Sequence, residues 1–267
     1  MNENNINLAS AHIFDAINFT DPLVQQICLE HWDFDHDGIF SYYDASLVCY
    51  LEDVFQGTPI TSFPELKYFT SLGKDTPDEE STARMIDDRQ FMNCRHLKEI
   101  TLPQQIASIG DYCFFGCESL QQVTLSDDRL DYCPHNAFLD CIALKNVMNP
   151  SKTKLYFVNA SELCDGHYTV PEGITDIGTE CFARMKDLHS ITLPASLRFI
   201  GMSACMETSL EQVIIPPNCY AIDCWAFENC VSLKKVHLPS SCAIQEEVFI
   251  GCHKLLTVRY EPNKEYL

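Results

Sequence analysis

The sequence predicts an α/β repeat solenoid, with a parallel sheet of short strands, preceded by a small helical N-terminal cap. Three observations predict it. A phenylalanine recurs with a period of 22–24 residues, an apolar-x-apolar triplet keeps register with it, and one acidic loop sits in the first fifty residues.

The phenylalanine column is Phe91, Phe114, Phe138, Phe182, Cys205, Phe227 and Phe249, with steps of 23, 24, 44, 23, 22 and 22. The long step is two periods. Five residues before each stand Ile86, Ile109, Cys133, Ile177, Ile200, Ile222 and Ile244. Three residues after stand Cys94, Cys117, Cys141, Met185, Thr208, Cys230 and Cys252. A leucine follows at Leu97, Leu120, Leu144, Leu188, Leu210, Leu233 and Leu255, opening an alternation such as Ile100-Thr101-Leu102. Alternation with period two is a strand with one face in and one out. Proline then closes the strand at Pro103, Pro171, Pro194, Pro216 and Pro239, where a missing N–H costs least. One unit cannot bury its own apolar face, whereas stacked units share a core.

These columns resemble the BspA-like leucine-rich repeat family of Bacteroides-type surface proteins. The runs LPASLRFIGMSAC and IPPNCYAIDCWAFENCVSL carry the resemblance, over about residues 86 to 260. It implies a right-handed leucine-rich-repeat superhelix. The third unit departs from the pattern at Ser126-Asp127-Asp128, which lacks the proline. An insert between Val147 and Val170 looks like the hairpin-bearing repeat variant, with Leu155 to Val158 as an added strand and Tyr168-Thr169-Val170 as the next rung. Residues 1–72 read as the cap, 73–90 as an acidic linker entering the first repeat, and 91–267 as the repeat domain.

In the cap, Asp21-Pro22 reads as a helix start, and Leu23, Val24, Ile27, Cys28 and Trp32 follow helical spacing. The helix runs into Asp33-x-Asp35-x-Asp37-Gly38, the spacing of an EF-hand or dockerin-like calcium loop. A hard cation needs several oxygens converging on one point. Asp33, Asp35 and Asp37 supply carboxylates, Ile39 its carbonyl and Ser41 its hydroxyl, and Asp44 closes the sphere in place of the usual glutamate. Ca2+ is therefore the expected cofactor. The plain alternative is a solvated acidic turn after a helix. The stretch from Thr58 to Leu72 resembles the linker helix that precedes such repeats in proteins of that family, and within it Ser62 and Glu65 have capping-box spacing.

A net charge of −20 repels phosphate backbones and argues against nucleic-acid binding. The charge is uneven. Residues 1 to 90 hold 17 acids and 4 bases, a net of −13 against −7 for the remainder. No apolar run is long enough for a membrane span. Residues 1 to 20 do not read as a secretory signal as they stand. The resemblance implies a cell-surface or secreted protein, while a cytoplasmic location stays open.

No HExxH, Walker loop, GxGxxG or serine elbow is present, so no enzyme is expected. The fifteen cysteines fall largely in repeat columns and suit reduced core thiols. Neighbouring rungs about 4.8 Å apart would also admit disulfides. The outward strand column reads Thr101, Thr124, Met148, Thr169, Thr192, Ile214, His237 and Arg259. Beside it run Glu99, Gln122, Asn146, Ser190, Gln212, Lys235 and Thr257. A solenoid binds through such a face. The expected function is a non-enzymatic binding or adhesion scaffold for a protein or glycan, with Thr101, Thr124, Thr192, Lys235, His237 and Arg259 as contacts. The alternative is a structural spacer steadied by calcium.

Overall fold

The computed structural model describes residues 13–74 and 84–261, with the backbone alone at residues 257 and 259–261. Of the predicted acidic linker, residues 75–83 lie outside the described residues.

Helix α1 (Pro22–Trp32) starts where the sequence places it. The Asp21 carboxylate accepts from Leu23 N at 2.8 Å, and proline occupies the first turn. Val24, Ile27, Cys28 and Trp32 form its buried stripe. Asp21 also accepts from Thr61 N at 2.5 Å and Thr61 Oγ1 at 2.8 Å, which ties the helix start to the first rung. Burial opposes its charge, but these hydrogen bonds prevail and hold the carboxyl below its usual range. Helix α2 (Tyr42–Leu47) is short and capped by Ser41.

The chain then alternates between a front row and a back row. Along the sequence come β1 (Ser62–Phe63), β2 (Met85–Ile86), β3 (Glu99–Thr101), β4 (Ser108–Ile109), β5 (Gln122–Thr124), β6 (Asn146–Met148), β7 (Lys154–Val158) and β8 (His167–Thr169). There follow β9 (Asp176–Ile177), β10 (Ser190–Thr192), β11 (Phe199–Ile200), β12 (Gln212–Ile214), β13 (Ala221–Ile222), β14 (Lys235–Pro239), β15 (Ala243–Ile244) and β16 (Thr257–Glu261). Front strands occupy all eight expected triplets.

Two expectations are corrected. The front row is not one uninterrupted sheet. It forms the parallel ladders β1–β3–β5, β8–β10 and β12–β14–β16, while β6 pairs with β7 in an antiparallel hairpin. The isoleucine column on the back builds parallel ladders of its own: β2–β4 and β7–β9–β11–β13–β15. A two-residue strand at the isoleucine bonds the back of one rung to the next within each ladder, and at the third unit a single bridge between Ser108 and Tyr132 stands in its place.

The predicted linker helix is also absent. Ser62 and Phe63 are strand β1, paired with Glu99 and Ile100, and Pro64–Tyr68 is a 3₁₀ turn. The capping box does not form because both side chains have distant partners. Ser62 Oγ donates to Glu99 Oε1 at 2.9 Å, and Glu65 Oε1 accepts from Thr20 N and Thr20 Oγ1. The parallel ladder thus begins inside the segment read as the cap. Phe55 stacks on Phe91 at 5.5 Å, so the phenylalanine column also starts there.

Inside the coil, Phe91, Phe114 and Phe138 stack face to face at 5.3 Å with 3° between planes. The cysteine column runs beside them. The Cys117, Cys141 and Cys252 thiols donate to the carbonyls of Phe91, Phe114 and Phe227 in the preceding rung, at 3.1, 3.0 and 3.0 Å. All fifteen cysteines are unbridged. The corners need left-handed backbone twice per rung, for example at Tyr112 and Gly116, or at Trp225 and Asn229. That conformation costs a non-glycine residue roughly 1–2 kcal/mol. In return, the second position bonds to the next rung, as Asn229 N does to the Ile250 carbonyl at 2.8 Å.

The hairpin divides the interior. Tyr156 and Phe157 of β7 belong to a core that runs from Ile17 through the cap, while Leu155 and Val158 belong to a second core reaching Cys252. Strand β7 is a septum buried on both sides.

Candidate functional site

Two places merit chemistry: the front face and the acidic loop. On the front face, the inward residues Ile100, Val213 and Val236 are at most 1% exposed. Parallel register then lines up the outward side chains. Thr101 stands beside Thr124, Thr169 beside Thr192, and Ile214 beside His237. Thr169, Thr192, Ile214 and Lys235 are exposed, while Thr101, Thr124 and His237 are half-buried. The backbone of Arg259 pairs with His237, and its side chain lies outside the described residues. The six residues read as contacts therefore belong to strands of one face, Lys235 in the flanking column and the other five in the outward one, although the ladder breaks between β5 and β8 and again between β10 and β12.

Sequence reading missed one member of this face. His167 belongs in the flanking column beside Ser190, its parallel partner. The spacing of 23 residues to Ser190 was a usable signal, but the hairpin insert hides the register. His96, His189 and His253 are exposed corner residues, as their position before the strand leucine predicts.

In the acidic loop, one carboxylate oxygen each from Asp33, Asp35 and Asp37 lies within 4.8 Å of the others. Gly38 takes φ +79°, the left-handed turn that the motif assigns to glycine. Its N–H donates to Asp33 Oδ2 at 3.0 Å, and Ile39 N donates to Asp37 Oδ1 at 2.7 Å. Asp33 Oδ1 is buried and accepts no hydrogen bond. Local desolvation and the charges of Asp37, Asp44 and Asp33 push the Asp35 carboxyl up. Three crowded carboxylates with an unused buried oxygen are a donor set that fits a hard cation.

Asp44 is placed differently. It is fully buried, and its Oδ2 accepts from Ser41 N at 2.9 Å and Ser41 Oγ at 2.6 Å. Its Oδ1 accepts from Phe34 N at 3.1 Å. The aspartate arm is one methylene shorter than glutamate and closes the capping box of α2 instead of reaching the triad. Ser41 is engaged with it through its N–H and its hydroxyl.

Burial pushes the Cys94 thiol up to about 12 and carries Cys113, Cys181 and Cys205 well above the usual thiol range. Such thiols remain protonated and poorly nucleophilic. A shallow cleft of about 670 Å³ is lined by Asp53, Asp87, Asp88, Gln90, Met85 and Met92. Desolvation and its neighbours Asp88 and Asp53 raise the Asp87 carboxyl there, and Arg89 also lines the cleft.

Short parallel strands stacked with a period of 22–24 residues over columns of phenylalanine, cysteine and leucine define a leucine-rich repeat solenoid. Residues 68–166 and 162–267 match the BspA type leucine-rich repeat region, a family profile with six copies. The chain belongs to this family. Solenoids of the family are typically non-enzymatic scaffolds. Among solved structures, the chain is similar to the pneumococcal vaccine antigen PcpA, with 21% identity, TM-score 0.45, and 65% of this chain and 53% of that chain covered. It is similar to a leucine-rich cell surface protein from Faecalibacterium prausnitzii, with 21% identity, TM-score 0.38, and 76% and 70% covered. A leucine-rich repeat protein of T. pallidum aligns with 24% identity, TM-score 0.34, and 67% and 79% covered. The chain thus spans about half of the PcpA chain. No curated protein is matched. Among the described residues, no helix is long and apolar enough to cross a membrane.

Proposed function

We propose that the chain is a non-enzymatic binding scaffold, displayed at a cell surface, that recognises a protein or glycan through its front face. One observation carries this reading. Parallel register pairs Thr101 with Thr124, Thr169 with Thr192 and Ile214 with His237 along one face, so weak contacts align into an extended surface. Lys235, His237 and Arg259 make one end of the row basic, while the cap end is acidic, and this polarity orients an anionic partner. The test is an array of glycans and extracellular-matrix proteins probed with wild-type protein and with Thr101→Arg plus Thr124→Arg. Bulk and charge in the row are expected to reduce capture of any specific partner at least tenfold. Capture that no front-face substitution alters would reject the reading.

A second reading concerns the cap. The loop binds one Ca2+ through Asp33, Asp35, Asp37 and the Ile39 carbonyl, with Asp44 and Ser41 bracing it through the cap of α2. The ion would neutralise the three carboxylates and fix the loop against α1, and it supplies no reaction. The convergence of those carboxylates, with the unpartnered Asp33 Oδ1, supports it. Titration calorimetry is expected to report one site, lost in Asp33→Ala plus Asp37→Ala. Calcium at about one hundred times Kd would stabilise the fold by about 2.7 kcal/mol. Equal melting temperatures in calcium and in chelator would refute this reading.

A further inference from the structure

The middle of the front face differs chemically from both ends. On β8 and β10, four side chains interlock across the rungs. His167 Nδ1 shares a hydrogen bond of 2.7 Å with Ser190 Oγ, and its Nε2 lies 3.1 Å from Thr169 Oγ1 and 3.2 Å from Thr192 Oγ1. Direct pairing of His167 with Ser190 and of Thr169 with Thr192 makes the cluster possible. A neutral imidazole offers one donor and one acceptor, and each hydroxyl can turn its hydrogen. The network can therefore reverse its polarity without moving a heavy atom.

Neither a carboxylate nor a cationic chain belongs to this network. The charges at the neighbouring corner cancel, because Lys234 Nζ donates to Glu211 Oε2 at 2.9 Å. Thr169 and Thr192 are exposed, while His167 and Ser190 are half-buried in the column beside them. Ile214 follows Thr192 in the same column and is 64% exposed, with Gln212 exposed beside it. Strands β10 and β12 lie side by side here without ladder hydrogen bonds. Ile191 and Leu193 point inward here and are half-buried against the second core. The exposed Ile214 side chain thus adjoins an array of neutral donors and acceptors.

A sugar ring has that same division. Its hydroxyls donate and accept, and its C–H face seeks apolar cover. An anion would find no cation in the network, and a cation no carboxylate. A protein epitope draws on aromatic or arginine anchors, which the outward columns of β8, β10 and β12 lack. We propose that β8, β10 and β12 form a subsite for a neutral saccharide unit. Thr169, Thr192, His167 and Gln212 address the ring hydroxyls, and Ile214 covers the C–H face. This rests on the front face being the recognition surface and names the ligand class of its centre.

The test uses the full chain against immobilised neutral oligosaccharides of glucose, mannose and N-acetylglucosamine, with sulfated dextran as an anionic probe. The variants are Thr169→Val plus Thr192→Val, Ile214→Ser, Lys235→Ala plus His237→Ala, and Glu246→Gln on the back row as control. Circular dichroism and melting curves confirm that each is folded. Wild-type protein is expected to retain at least one neutral oligosaccharide, with an affinity that changes less than twofold on raising salt. The threonine pair and Ile214→Ser each weaken it at least tenfold, and Glu246→Gln does not. Absence of neutral binding, or neutral binding unchanged by the threonine pair and Ile214→Ser, overturns the subsite. Capture of sulfated dextran alone, lost with Lys235 and His237, also overturns it but leaves the front face standing. If no front-face variant alters any binding, both readings fall.

Discussion

Phe114→Ala is expected to lower the unfolding free energy by about 3–5 kcal/mol, measured by urea denaturation, as for a large core ring cut to a methyl. The ring is fully buried and lies flat between Phe91 and Phe138, 5.3 Å from each. Collapse of the cavity would need the rungs to approach one another. Their spacing is fixed by the flanking backbone bonds, such as Phe91 N to the Cys113 carbonyl at 2.9 Å and Phe114 N to the Ala137 carbonyl at 2.8 Å. The hole therefore stays open and the loss falls near the upper end. Phe249, half-buried against Phe227, gives a smaller loss when cut to alanine. A loss under about 1 kcal/mol at Phe114 would mean that the stacked column does not hold the coil together.

Acid is expected to weaken the protein through His135. This ring packs on Phe157 at 5.2 Å, on one side of the septum, and hydrogen-bonds the carbonyl of Cys181, in the core on the other side. Its Nδ1 is buried without a partner. Burial first, and the Arg184 charge after it, lower its pKa from the ordinary 6.5 to about 4. Glu180 sits nearby but is shared. Its Oε2 accepts the His135 backbone N–H at 3.4 Å and lies 3.7 Å from Arg184 Nη1. Above pH 6.5 the residue is neutral in both states and contributes no pH dependence. Below it, the unfolded chain takes up a proton that the folded chain refuses, so stability falls until the pH passes about 4. The full loss is about 3 kcal/mol. Denaturation of wild type and His135→Leu at pH 7 and pH 4.5 measures it. The variant should show a shallower decline, and parallel declines would remove His135 from the account.

The cap and the coil were harder to separate in sequence than the charge asymmetry suggests. Phe55, Thr58, Ile60 and Phe63 have the same spacing as Cys205, Thr208, Leu210 and Val213. Their contacts repeat as well. Thr58 Oγ1 donates to the Phe55 carbonyl at 2.7 Å and meets Cys94 Sγ, as Thr208 Oγ1 donates to the Cys205 carbonyl at 3.0 Å and meets Cys230 Sγ. A rung thus precedes the matched family segment. It escaped notice because threonine had replaced cysteine, and because 36 residues separate Phe55 from Phe91.

By itself the sequence determined the rung. Period and alternation decide which side chains face inward, because each unit meets the same local demand, and so Phe114, Leu120 and Val123 could be assigned without coordinates. It also determined the start of α1 at Asp21 and the acidic triad, since a cap and a loop of six residues are local matters. Only the tertiary structure decided what depends on partners distant in the chain. Ser62 and Glu65 have capping-box spacing but bond to Glu99 and Thr20. Asp44 sits where a calcium loop closes but caps α2, because its arm reaches Ser41. His167 meets Ser190 and Thr192 because the hairpin adds a whole turn between rungs and then restores parallel register. Repetition shows which way a side chain faces, whereas its neighbours are set by how the rungs stack.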